Sequence, residues 1–210
     1  MKTLTVDEIV KRVRTVIDEI AANESEMIST EEDNANVDAV IKGSIPAAYR
    51  YIATTADVSM LEGKDGTTAS LSIDANLVGR VDVPADAIRI INARLSSWDS
   101  SFGALLDESS PQYRMQSNKW VCASPRRPVA AIVHQKSGRM LELFKAATSS
   151  DKLVEFTYIP NIGDSFSSVG LSDSTVEAFI YYVAALTMVT FREDLAEPLF
   201  KISRNLLGVE

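Results

Sequence analysis

The sequence predicts an α+β fold in which N-terminal and C-terminal helices form a helical bundle, with a central antiparallel β-lobe between them in the chain. Three observations lead there. Apolar residues recur at helical spacing over the first sixty positions; between Leu71 and Ile159 the apolar period falls towards two; and helical spacing returns after Ser174. The organisation expected is residues 1–60 and 172–210 in the bundle and 61–171 in the β-lobe with long loops. A chain of 210 residues, 46% hydrophobic, is large enough to bury such a core.

The first helix follows from Thr5 and Glu8, which have capping-box spacing, and from Val6, Ile9, Val10, Val13, Ile17 and Ile20, which share one face. It is expected to run to about Ala22. The acidic stretch "NESEMISTEEDNAN" reads as a solvated loop in which Thr30 or Asp33 caps a second helix. That helix carries Val37, Val40 and Ile41, is expected to break near Gly43, and restarts from Ser44 with Pro46 in its first turn. Asp33, Asn36 and Asp38 do not form a calcium loop, because the third and sixth positions are Ala35 and Asp38.

After the turn-rich "LEGKDGTT", strand-like runs are Leu71–Ile73, Val78–Val83 and Ala87–Ile91, the last two meeting at a Val-Pro-Ala-Asp corner. Pro84 fixes φ and donates no hydrogen bond, and Asp86 is placed to accept a turn N–H, so these two are the expected structural corner. Leu105–Lys119 reads as a polar stretch holding one short helix at Pro111–Gln116. Strands follow at Val129–His134, Arg139–Lys145 and Leu153–Ile159, with Ser137-Gly138 as a hairpin turn. Asn161–Gly170 reads as a loop. Ser174 and Glu177 repeat the capping-box spacing before a helix that is apolar on most faces and so belongs at the bundle centre. A last amphipathic helix with Pro198 near its start ends at Gly208.

Composition narrows the function classes. The net charge of −8 and the scattered Lys and Arg residues leave no basic stripe for nucleic acid; Arg126-Arg127, between Pro125 and Pro128, is the only Arg-Arg doublet and reads as an exposed turn. Trp98 and Trp120 are not interleaved with basic residues and read as packing at the lobe edge. Acidic residues in the first turn and the lack of an apolar core argue against a signal peptide at "MKTLTVDEIVKRV". The 14-residue apolar run Ala178–Phe191 is short for a membrane span.

Reactive chemistry is sparse. One cysteine, Cys122, and one histidine, His134, make neither a disulfide framework nor a zinc set, and Cys122 reads as a small packed side chain. G-x-S-x-G, G-x-G-x-x-G and P-loop patterns are missing. Ser149 and Lys152 satisfy S-x-x-K but precede a strand rather than open a helix. No catalytic, cofactor-binding or metal residue is expected, and hence no enzyme. An unrecognised enzyme would need a cleft gathering His134, Cys122 and acidic residues.

A resemblance spans most of the chain. "VGRVDVPADAIRIINARLSSW", "VEFTYIP", the long helix "VEAFIYYVAALTMVTF", the last helix "AEPLFKISRNLLG" and the early "IKGSIPAAYRYIATTA" are similar to segments of the head-to-tail adaptor, or tail tubular protein A-like, family of short-tailed phages, including the connector ring proteins of crAss-like phages. The resemblance implies a virion structural protein of the tail or neck, assembled in the host cytoplasm. About twelve copies would form a ring joining the portal to the next tail component around the DNA channel. DNA would pass without specific binding, which suits an acidic lumen, and no membrane is involved. The alternative is a non-ring protein-binding module such as a head-completion or tail-assembly factor. On either reading the contacts are expected in the long loops and the C-terminal segment, at Leu61, Phe102, Leu105, Leu106, Phe166, Leu171, Leu206 and Leu207.

Overall fold

The computed structural model describes residues 2–21, 31–118, 120–136, 138–163 and 166–209. They form two compact units, residues 1–62 with 161–210 and residues 63–160. The fold is α+β, with both helices and strands.

In the first unit, strand β1 (Lys2–Thr5) leads into helix α1 (Val6–Ala21). The Thr5–Glu8 capping box forms: the Thr5 N–H donates to the Glu8 carboxylate at 2.8 Å and the Glu8 N–H to the Thr5 hydroxyl at 3.3 Å. Ile9, Val10, Val13 and Ile17 are buried along one stripe. Helix α2 (Glu31–Thr55) is continuous through Gly43 and Pro46, where the sequence predicts a break. Its buried residues Val37, Ile41, Ile45, Ala48, Tyr49, Ile52 and Ala53 keep helical spacing across the proline, and burial of that shared stripe outweighs the local breakers. Pro46 removes one helical bond, to the carbonyl of Lys42, an exposed residue. Residues 31–36, expected as loop, are therefore helical. Asp33 lies inside the helix rather than at its cap, Thr30 lies outside the described residues, and Asp38 receives the Arg14 guanidinium at 2.7 Å.

Asn161–Gly170, expected as loop, carries most of strand β10 (Ser168–Leu171), which pairs antiparallel with β1, Leu4 opposite Val169. This pairing moves the unit boundary to residues 160/161 from the expected 171/172. Helix α4 (Val176–Phe191) packs on α1, α2 and the last helix, α5 (Glu193–Leu207), as its nearly all-round apolarity requires. Each fully buried large apolar side chain, Phe179 among them, contributes about 1.5–3 kcal/mol. The Ser174–Glu177 capping box does not form. Thr175, not Ser174, is the N-cap residue and makes no side-chain cap bond: its hydroxyl donates to the Ser172 carbonyl at 3.1 Å, and the Ser174 hydroxyl donates to the Met60 carbonyl at 3.2 Å. Tyr182 stacks on Tyr51 with centroids 4.0 Å apart, and the Ser203 hydroxyl donates to the Ala178 carbonyl at 2.7 Å, tying α5 to α4. Gly208 ends α5 in the left-handed conformation that the sequence predicts.

The second unit holds two sheets. One, in the order β3-β4-β8-β7-β6, contains β3 (Leu71–Ile73), β4 (Val78–Asp82), β6 (Ala104–Asp107), β7 (Val129–Gln135) and β8 (Gly138–Phe144). The other, β2-β9-β5, contains β2 (Lys64–Asp65), β5 (Ala87–Leu95) and β9 (Leu153–Pro160). Val81, Leu141 and Leu143 from the first and Ile90, Leu95, Phe156 and Tyr158 from the second share one buried core, so the sheets pack face to face.

The lobe departs from the expected all-antiparallel arrangement because β6 pairs parallel with β7. The runs flanking the Pro84 corner do not pair with each other. β4 pairs with β8 and β5 with β9, so the chain changes sheets at the corner. The Val83 N–H still bonds the Arg139 carbonyl at 3.0 Å; Pro84, having no N–H, ends the ladder there. The corner is closed by the Ala87 N–H on the Pro84 carbonyl at 3.0 Å rather than by Asp86, which is exposed and accepts no hydrogen bond among the described residues. Residues 145–152 make the second sheet change, between β8 and β9. Gly138 has φ 137°, as the β7–β8 turn demands; Ser137 lies outside the described residues. Gly66 is required by close approach, since a Cβ there would sit 2.7 Å from the Phe156 ring.

Candidate interaction surface

Alternation on β4 and β8 sends Gly79, Val81, Leu141 and Leu143 into the core and Val78, Arg80, Glu142 and Phe144 to the opposite face. The segment after β6 covers part of that outer face. Asp107 accepts the Ser109 N–H at 2.8 Å, Ser110 caps helix α3 (Pro111–Met115), and Tyr113 packs on Phe144 beside Ala123 and Ala131.

Beyond α3 the chain forms a pinned loop. The Trp120 N–H donates to the Asn118 side chain at 3.0 Å, the Cys122 N–H to the Asn118 carbonyl at 2.9 Å, and the Ala123 N–H to the Gln116 side chain at 2.8 Å. The Arg126-Arg127 turn is held at both ends, by the Asp99 N–H on the Pro125 carbonyl at 3.1 Å and the Gly103 N–H on the Pro128 carbonyl at 3.2 Å. On this braced frame Trp120 is 83% exposed, with Met115 and Val121 also exposed. Trp120, Val121, Cys122, Arg126 and Arg127 line a hollow of about 560 Å³. An exposed indole beside two exposed guanidiniums matches the residue types that dominate protein–protein contacts. The two tryptophans thus differ from the expectation of shared edge packing: Trp98 is a core residue, 2% exposed, and Trp120 is presented outward.

A second hollow, of about 690 Å³, lies across the outer face of β4 and β8. Arg80 and Glu142 are directly opposite in register, and Arg80 Nε donates to Glu142 at 3.1 Å. Glu142, only 7% exposed, also accepts the Tyr113 hydroxyl at 2.9 Å, and a second arm of Arg80 meets Asp74 at 3.1 Å. Burial, together with the hydrogen bond to the Glu142 carboxylate, pushes the Tyr113 phenol up to about 12, so it remains a donor at neutral pH.

Several carboxylates of this unit are held below their ordinary values. The Val78 backbone N–H is the main cause for Asp74, and the Arg94 and Asn92 side chains are the main causes for Glu155. At Asp151, burial alone would raise the value, but the Ser97 hydroxyl and the Ala147 N–H lower it on balance. A depressed folded-state value adds stability above the unfolded value and loses it as pH falls through the folded one. The melting temperature is therefore expected to be level from neutral pH down to about 5, then to fall as pH drops past the unperturbed 3.8 and 4.5. A melting temperature that rises towards pH 3 contradicts this.

The expected contact residues divide. Leu206 is exposed, whereas Leu61, Phe102, Leu105, Leu106 and Phe166 are half-buried. Phe102 and Leu105 pack against the main lobe core and Leu106 against the smaller cluster around Phe144. Leu171 and Leu207 are buried, Leu171 because β10 is a paired strand, Leu207 because it falls on the inward face of α5; neither presents a contact surface. Cys122 and His134 line different hollows, His134 sharing one with Asp82 and Arg139. Among the described residues no group of three or more His, Cys, Asp and Glu could hold a metal ion, and no helix is long and apolar enough to cross a membrane. Compared with known proteins, the chain matches no family model and no curated sequence.

Proposed function

We propose that the protein is a virion structural protein, a head-to-tail adaptor whose copies, about twelve, form a ring joining portal to tail around the DNA channel. It acts by contact rather than by making bonds, and the Trp120 surface docks on an acidic-rimmed face of the portal, of the next tail component or of a neighbouring copy. The observation that carries the reading is Trp120, 83% exposed on a loop braced by Asn118 and Gln116 and flanked by the only Arg-Arg doublet of a chain with net charge −8. A braced aromatic loses little conformational freedom on docking, and the arginines select a partner of opposite charge. The resemblance of the corner and long-helix segments to ring adaptors supplies the location. Light scattering of the chain alone and with purified portal tests it: a ring-sized complex with portal is expected, and a chain that stays monomeric with portal present favours the non-ring binding module.

A further inference from the structure

The 690 Å³ hollow has a feature that contact with a protein surface does not require. In it Arg80, Asp74, Glu142 and Tyr113 satisfy one another and stiffen the walls. Arg114 and Lys145 line the same hollow, and neither side chain has a hydrogen bond or ion pair among the described residues. Lys145 and Leu77 are also the two non-glycine residues with positive φ among those described, at 67° and 60°, and both line this hollow. Side chains with a Cβ adopt that conformation at a conformational cost, and such residues gather where a site needs a particular geometry. The strain is locked in by neighbours: the Ala146 N–H bonds the Leu77 carbonyl at 2.9 Å, and the Trp98 indole donates to the Lys145 carbonyl at 3.1 Å.

We propose that this cleft is a binding site for a small multivalent oxyanion, a polycarboxylate or a phosphate compound, held by Arg114 and Lys145 with Arg80 behind them. The volume falls within the range of small-ligand pockets, and three cations against two carboxylates make the cleft locally positive in a chain of net charge −8. Arg114 offers a planar fork and Lys145 a point charge, a pair suited to oxygens on separate groups of one ligand. The site is distinct from the proposed docking surface: Trp120, Arg126 and Arg127 do not line it, although Gln116 borders both hollows.

Calorimetric titration of the full chain with citrate, and separately with pyrophosphate, tests it. Saturable binding of either is expected, the tighter of the two naming the ligand class. Lys145→Gly should weaken binding by about tenfold or more, the scale of a lost charge-assisted bond, and leave the melting temperature unchanged or raised, since glycine accepts φ 67° freely. Arg114→Ala should weaken binding to a similar degree, and Arg126→Ala, outside the cleft, should not. Failure of both anions to bind, or equal binding by Lys145→Gly, overturns the proposal.

Discussion

Trp98→Ala is expected to lower the unfolding free energy of the β-rich unit by about 3–5 kcal/mol, the range for removing a large aromatic from a close-packed core. Trp98 is 2% exposed and packs with Val81, Leu95, Leu143 and Phe156 of the core shared by both sheets. Its indole N–H also serves the Lys145 carbonyl at 3.1 Å, at the strained residue between β8 and β9. Alanine leaves a cavity and an unserved carbonyl at the same place, so the loss belongs in the upper part of that range. Urea unfolding followed by circular dichroism measures it, and a change under about 1 kcal/mol contradicts the assignment of Trp98 to the core.

The same substitution at Trp120 should act in the opposite register. Trp120 is 83% exposed, so Trp120→Ala should change stability by no more than about 0.5 kcal/mol. Its effect is expected on association: loss of a central aromatic anchor costs about 2 kcal/mol or more, roughly thirtyfold in affinity for the docking partner. Arg126→Ala with Arg127→Ala should slow association and reduce its salt dependence. Measured affinity that is unchanged in Trp120→Ala removes this surface from the proposed interface, whatever happens at Trp98.

Much of the fold is legible in local patterns. The stripe Ile9, Val10, Val13 and Ile17, the apolar α4, and the alternation in β4, β7, β8 and β9 are each read from a window shorter than twenty residues. What was missed depends on partners distant in sequence. β1 is four residues, Lys2–Thr5, that become a strand only because Ser168–Leu171 pairs with them. β6 is likewise four residues, and its parallel partner lies past α3 and the Trp120 loop. Helix α2 continues through Gly43 and Pro46 because tertiary burial on both sides of them outweighs local propensity.

The candidate surface was less legible for the same reason. Trp98 and Trp120 read alike from their neighbours in sequence; the core shared by the two sheets buries one, and the bonds that pin the loop after α3 hold the other outward. The contact of Arg80 with Glu142, sixty-two positions apart, is fixed by strand register alone. Leu171 and Leu207 looked available because exposed loops and chain ends usually are, and pairing of β10 and the inward face of α5 enclose them.

Electron microscopy of assembled particles with this chain located in the density tests the central claim most directly. The account predicts a ring of copies at the junction of portal and tail, with Trp120 and the Arg126-Arg127 turn of each copy buried against an adjacent protein. Particles that lack the chain, or copies whose Trp120 faces open solvent throughout, contradict it.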